Sequence, residues 1–207
     1  MDLSFLLRGL VLGLAVAAPV GPIGVLCIRR SLAEGRTVGF AVGLGAATAD
    51  AAYGAAAGLG LTVVSTFLVH QQTWLRLVGG VFLCYLGIRT LLARPAERAA
   101  GNERRDGLLG AYTSTFFLTL TNPTTILSFA AIFAGVGVGA EGDDFLSVVL
   151  LVGGVFLGSA LWWLALSTGV GFFRDKLGPR SMRAVNVFSG AVILAFGLAA
   201  VWTAVSW

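Results

Sequence analysis

Two proline-centred breaks interrupt the long apolar runs of this chain, one in each half. Ala18-Pro19-Val20-Gly21-Pro22-Ile23-Gly24 breaks the first run, and Leu120-Thr121-Asn122-Pro123-Thr124-Thr125 breaks a later one, with Pro22 and Pro123 at an offset of 101. Proline has no backbone N–H and its ring clashes with the preceding turn, so each break frees carbonyls. Hydrocarbon offers no water, and those carbonyls must find a protein partner or line a polar cavity. The chain is therefore constrained to a bundle that turns its breaks inward. Interruptions at corresponding places in two halves point to a transport site near the bilayer midplane.

The runs around the breaks are apolar enough to sit in lipid. Of 207 residues, 57% are hydrophobic and 12% charged, with a mean hydropathy of +0.90; soluble domains carry roughly 25% charged residues. Six stretches stand out, at Ser4–Ile28, Thr37–Leu68, Trp74–Ala93, Leu108–Val138, Phe145–Phe173 and Ala184–Trp207. Each reaches the ~20 residues of a spanning helix. The fold class expected is all-α, a polytopic membrane protein with six transmembrane helices. Basic residues gather in alternate loops: Arg29, Arg30 and Arg36; Arg94, Arg98, Arg104 and Arg105; Arg174, Lys176, Arg180 and Arg183. The second and fourth loops have no Lys or Arg. The positive-inside rule puts the basic loops in the cytoplasm and both termini outside. The net charge of +4 is thus topogenic and does not signal nucleic acid. Arg8 and the apolar run after it mimic a signal peptide, but Asp2 precedes the run and it continues past Ala17 to Ile28.

The halves resemble each other in register. Gly80 and Gly87 match Gly190 and Gly197 at an offset of 110, as do Gly43 with Gly153 and Tyr53 with Trp163. Three spans per half is an odd number, so the second half must insert upside down relative to the first. Two inverted three-helix repeats are expected, residues 1–93 and 108–207, joined by a polar cytoplasmic linker at 94–107. Such repeats suit alternating access around a midplane site.

Few residues can carry chemistry. Asp50 is the one acid deep inside a span, and a carboxylate at that depth must face the bundle interior. It suits a cationic group or a proton; the plainer role is a structural bond to a neighbouring helix. Tyr53 lies one turn on, placed to bond that carboxylate or to pack beside substrate. At the second break, Thr121, Asn122, Pro123 and Thr124, with Thr125, offer donors and acceptors and a half-helix N-terminus that favours a carboxylate. Gly21, Pro22 and Gly24 offer the same at the first break. Trp162 and Trp163 either line the cavity or pack. A zwitterion fits this constellation. Cys27 and Cys84 form no CxxC pair, and His70 stands alone, so no metal or other cofactor is expected. No buried nucleophile–base pair suggests an enzyme. Divalent metal efflux would need clustered ligands, and a thiol–disulfide carrier would need a second cysteine at the other break. A non-transporting scaffold is the remaining alternative, and it would have no use for an intramembrane acid.

The stretch Pro19-Val20-Gly21-Pro22-Ile23-Gly24 through Arg36, followed by Gly43-Leu44-Gly45-Ala46-Ala47-Thr48-Ala49-Asp50-Ala51-Ala52-Tyr53, resembles the opening of the LysE-type translocators. Leu120-Thr121-Asn122-Pro123-Thr124-Thr125 resembles that family's Asn-Pro segment in the fourth helix. The resemblance spans essentially the whole chain. It implies a bacterial inner-membrane exporter of amino acids or related metabolites, driven by the proton gradient, with Gly21, Pro22, Asp50, Asn122 and Pro123 as functional residues. The expected partners are an amino acid, protons and the lipid bilayer, with homo-oligomerisation left open. Thr124 stands where many members have Lys, which leaves the transported molecule open.

Overall fold

Glycine and proline set the helix boundaries of this chain. A computed structural model describes residues 3–19, 21–58, 71–93, 107–122, 125, 126, 128, 129, 145–173 and 178–205. Among the described residues there are seven helices and no strand: α1 (Ser4–Ala17), α2 (Pro22–Glu34), α3 (Arg36–Gly58), α4 (Gln72–Leu92), α5 (Leu108–Leu120), α6 (Phe145–Gly171) and α7 (Pro179–Val205). The first expected span is two helices, α1 and α2, bent by 81°. Pro22 opens α2 at a position where a missing N–H costs nothing. Gly35 closes it with φ 107, a conformation that favours glycine, and α3 starts at the next residue.

This differs from the expected first loop. Arg29 and Arg30 lie on α2, where Arg30 and Glu34 form an i,i+4 ion pair at 2.8 Å. The turn is Gly35 alone. Likewise Pro179 starts α7 earlier than expected and draws Arg180 and Arg183 into helix. Linker residues 94–106 and the expected span ends at Leu68 and Val138 lie outside the described residues.

Thr73–Leu92, Phe145–Gly171 and Pro179–Val205 are long and apolar enough to cross a membrane, and the bent pair of α1 and α2 passes as a fourth span. Large apolar side chains face outward, among them Trp74, Val78 and Tyr85 on α4 and Phe188, Leu198 and Trp202 on α7. Small and polar residues face inward, including Asp50, Thr115, Thr119, Ser159 and Asn186. In water that distribution would be costly; in lipid it is what packing requires, since the surrounding solvent is itself apolar.

Helix α3 holds the middle, packed against α2, α5 and α6. α1 lies on α6, α4 pairs with α7, and α2 also reaches α6 and α7. Glycines let the backbones touch. A Cβ on Gly80 would stand 3.0 Å from the Gly197 carbonyl, and one on Gly197 would stand 2.9 Å from the Gly80 carbonyl. A Cβ on Gly190 would likewise stand 2.9 Å from the Gly87 carbonyl. Gly9 and Gly13 meet the carbonyls of Leu151 and Val155, while Gly154 and Gly158 meet those of Leu6 and Leu10. These are small-xxx-small stripes on both partners.

Gly153 and Gly158 sit on the same helix in opposite circumstances. A Cβ on Gly158 runs into the Leu10 carbonyl, whereas no atom of another described residue lies within 4 Å of one on Gly153. Gly158→Ala is expected to destabilise by about 1–3 kcal/mol through overpacking. Gly153→Ala should be neutral or stabilising by up to ~1 kcal/mol, because alanine is the better helix former. Thermal unfolding of the purified variants in detergent checks both.

Candidate functional site

The second break begins where α5 ends. Its last turn tightens: the Thr121 N–H donates to the Phe117 carbonyl at 3.0 Å, and the Asn122 N–H to the Thr119 carbonyl at 3.2 Å. Helix resumes at once, with the Ile126 N–H donating to the Asn122 carbonyl at 3.1 Å and Thr125, Ile126, Ser128 and Phe129 helical. Asn122 and Thr125 are buried. Thr121 turns its hydroxyl back to the Phe117 and Leu118 carbonyls at 3.0 and 3.3 Å, so it serves its own helix. Pro123 and Thr124 lie outside the described residues.

One α3 side chain holds both sides of this break. The Tyr53 hydroxyl donates to the Leu120 carbonyl at 2.6 Å, and the Tyr53 ring stacks on Phe129 with centroids 5.3 Å apart. The sequence suggested Tyr53 as a partner of Asp50 or of substrate; its hydroxyl goes to the carbonyl that α5 leaves over at its end.

The first break is more open. Gly21 caps α2 in an extended conformation with φ −103 and, as a glycine, has no side chain of its own to cap that helix end. Among the described residues, none beyond its chain neighbours has an atom within 4 Å of where a Gly21 Cβ would be. Pro22 and Gly24 behind it are buried. The Val25 N–H donates to the Gly21 carbonyl at 3.1 Å, which leaves the first N–H groups of α2 without an intrahelical partner.

Asp50 is 3% exposed and bonded across the bundle. Ser159 Oγ on α6 donates to Asp50 Oδ2 at 2.7 Å, and Trp163 Nε1 donates to Ser159 Oγ at 3.1 Å. Trp163 is buried and Trp162 half-buried. The hydrogen bonds thus join Asp50 to α6 and Tyr53 to the second break. The first break connects through α1, whose Gly13 passes so close to α6 that a Cβ there would be 2.9 Å from the Ser159 amide nitrogen.

Ser159 was not legible as a site residue. The offset of 110 that relates the halves sets Ala160 opposite Asp50, one position away. The available signal was a serine midway through an apolar run, with a tryptophan four residues on. A second polar bridge also escaped notice. Arg29 Nε donates to Asn186 Oδ1 at 3.2 Å, and Asn186 Nδ2 donates to the Ala93 carbonyl at the end of α4 at 3.3 Å. Among the described residues no group of three or more His, Cys, Asp or Glu comes together. Cys27 and Cys84 are free and sit on different helices.

The sequence profile of the family described as LysE type translocator matches residues 14–203. A Bacillus subtilis (strain 168) protein bearing the name "Putative amino acid efflux protein YcgF" is 29% identical over 199 residues, covering 94% of each chain. No solved structure matches.

Tyr53→Phe keeps the stack on Phe129 and leaves the Leu120 carbonyl without its donor. It is expected to lower stability by about 1–2 kcal/mol, the range for a buried bond lost inside a membrane bundle. Thermal unfolding in detergent measures this; an unchanged melting point would mean that another donor reaches the carbonyl.

Proposed function

The chain belongs to the LysE type translocator family, and from that premise we propose that it exports amino acids or related small zwitterionic metabolites across the bacterial inner membrane. It is a membrane protein of a transporter family, not an enzyme. The observation that carries the reading is Asp50, a carboxylate buried between α3 and α6 and one turn from the tyrosine that holds the second break. A carboxylate at that depth is costly and serves to meet a positive charge. That charge is the amino group of the substrate or the proton exchanged for it. The substrate carboxylate is received at the breaks, by the backbone around Gly21, Pro22 and Gly24 on one side and by the Asn122-Pro123-Thr124 segment on the other, because a half-helix N-terminus favours an anion; the Thr121 hydroxyl, committed to its own helix, takes no part. The glycine at the start of α2 and, among the described residues, the room around Gly21 support this. The name of the Bacillus relative supports amino acids as the substrate class.

Transport proceeds by alternating access with proton antiport, on two inverted repeats at 1–93 and 108–207 joined by a cytoplasmic linker. The glycine contacts support the repeat. At an offset of 110 Gly80 corresponds to Gly190 and Gly87 to Gly197, yet Gly80 packs on Gly197 and Gly87 on Gly190. That exchange fits a two-fold axis, in which residue i meets the copy of j and j meets the copy of i. The packing of α1 on α6 and of α5 on α3 fits the same axis. Both termini then lie outside the cytoplasm.

The test is outward flux. Cells expressing the protein are loaded with the proteinogenic amino acids supplied as dipeptides, and export is followed by mass spectrometry. Selective export of one or a few amino acids is expected, and Asp50→Asn should reduce it to the level of cells without the protein. Full flux in that variant would remove Asp50 from the mechanism; no export by the native protein would remove amino acids from the substrate class.

A further inference from the structure

Ser159 stands between Asp50 and Trp163, and the chemistry of the three side chains fixes the direction of the bonds. An indole N–H can only donate, so Ser159 Oγ is the acceptor at 3.1 Å. A hydroxyl has one proton, and here it points to Asp50 Oδ2 at 2.7 Å. Oδ2 is thereby held as an acceptor. The remaining lone pairs of the carboxylate, both of those on Oδ1 among them, stay available to an incoming proton or ammonium group.

The packing keeps this chain of bonds in place. Ser159 is 0% and Trp163 4% exposed. A Cβ on Gly43 would run into Cβ and Cγ of Trp163, so the glycine makes room for the tryptophan on the α3 surface, seven residues before Asp50. Gly13 on α1 closes on the backbone of Ser159 from a third helix. Ser159 is thus held among α1, α3 and α6.

We propose that Ser159 is a positioning residue for transport, which couples the charge on Asp50 to the contact between α3 and α6, with Trp163 setting the direction of its hydroxyl. This rests on the reading of Asp50 as the group that meets positive charge. A hydroxyl bonded to a carboxylate is about twice as strong as one bonded to a neutral group. When Asp50 is charged and empty, the bond draws α6 onto α3. When a proton or an amino group neutralises the carboxylate, the bond weakens and the two helices are released to move. The contact that changes is one between the first and second halves of the chain.

The experiment measures export of the proteinogenic amino acids from dipeptide-loaded cells as KM and as turnover per transporter molecule, with abundance in the membrane determined in parallel. The variants are Asp50→Asn, Ser159→Ala, Ser159→Cys and Trp163→Phe. Ser159→Ala is expected to lower turnover over KM by about tenfold or more, as loss of a bond to a charged group does. Ser159→Cys, which keeps a weak donor of similar size, should recover part of it. Trp163→Phe should lose less, in the same direction. A merely structural role would change abundance and leave KM and turnover alone. Native KM and turnover in Ser159→Ala, alongside an inactive Asp50→Asn, overturn the role of Ser159 and leave that of Asp50 intact. A Ser159→Cys variant no better than Ser159→Ala overturns it as well. If Ser159→Ala does not reach the membrane, native kinetics in Trp163→Phe overturn it. Full flux in Asp50→Asn overturns both readings.

Discussion

A backbone carbonyl released inside a membrane bundle has no water to turn to, and the arrangement around the second break answers that demand. Where α5 stops, Thr121 and Asn122 donate their N–H groups to the last turn, Tyr53 supplies a hydroxyl to the Leu120 carbonyl, and the Asn122 carbonyl starts the next helical turn. Once Tyr53 is committed to that bond, α3 is fixed against α5 and its rotation is set. Asp50, one turn earlier on α3, is then aimed at α6, where Ser159 receives it. A single rule of solvation thus connects the break, the orientation of the central helix and the placement of the buried acid.

Close backbone approach makes this geometry affordable. Glycines on α1, α4, α6 and α7 bring main chains into contact, so the bundle gains dispersion and short-range polar contacts where the hydrophobic effect offers nothing. The outward faces carry the bulky apolar residues instead. Polar residues within the bundle are then spared for specific tasks. Several bond their own helices, as Thr115 and Thr119 do to Ala111 and Thr115. Among the described residues a few cross between helices, at Asp50, at Tyr53, at the Arg29–Asn186 bridge and at Cys27, whose thiol donates to the Gly39 carbonyl.

Much of this could be read from the sequence because its strongest signals are local. Proline and glycine mark their own backbone consequences, so the interruption of α5 at Thr121–Asn122 and the start of α2 at Pro22 followed from residue type. The burial of Asp50 followed from its depth in an apolar run. Partners across the bundle were not legible. Ser159 and Asn186 look like ordinary small polar residues in a hydrophobic segment, and which helix each faces depends on packing angles that periodicity does not supply. The same holds for Tyr53: spacing placed it on the Asp50 face, but only the approach of α5 decided where its hydroxyl went. The first turn was misjudged because Arg29 and Arg30 read as loop charges, whereas the Arg30–Glu34 pair and the glycine at 35 carry α2 past them.

The central claim is that the two breaks border the path a zwitterion takes, and Gly21 gives the most direct access to it. Among the described residues, none beyond its chain neighbours has an atom within 4 Å of a Cβ there. In a protein whose Cys27 and Cys84 have been replaced, Gly21→Cys should react with a membrane-impermeant maleimide, and the exported amino acid should slow that reaction in proportion to its occupancy. A cysteine at Val81, on the outer, lipid-facing side of α4, should not react, because the reagent does not enter hydrocarbon. If Gly21→Cys reacts from neither side of the membrane, or reacts at a rate that the exported amino acid does not change, the first break does not border the path and the account fails at its centre.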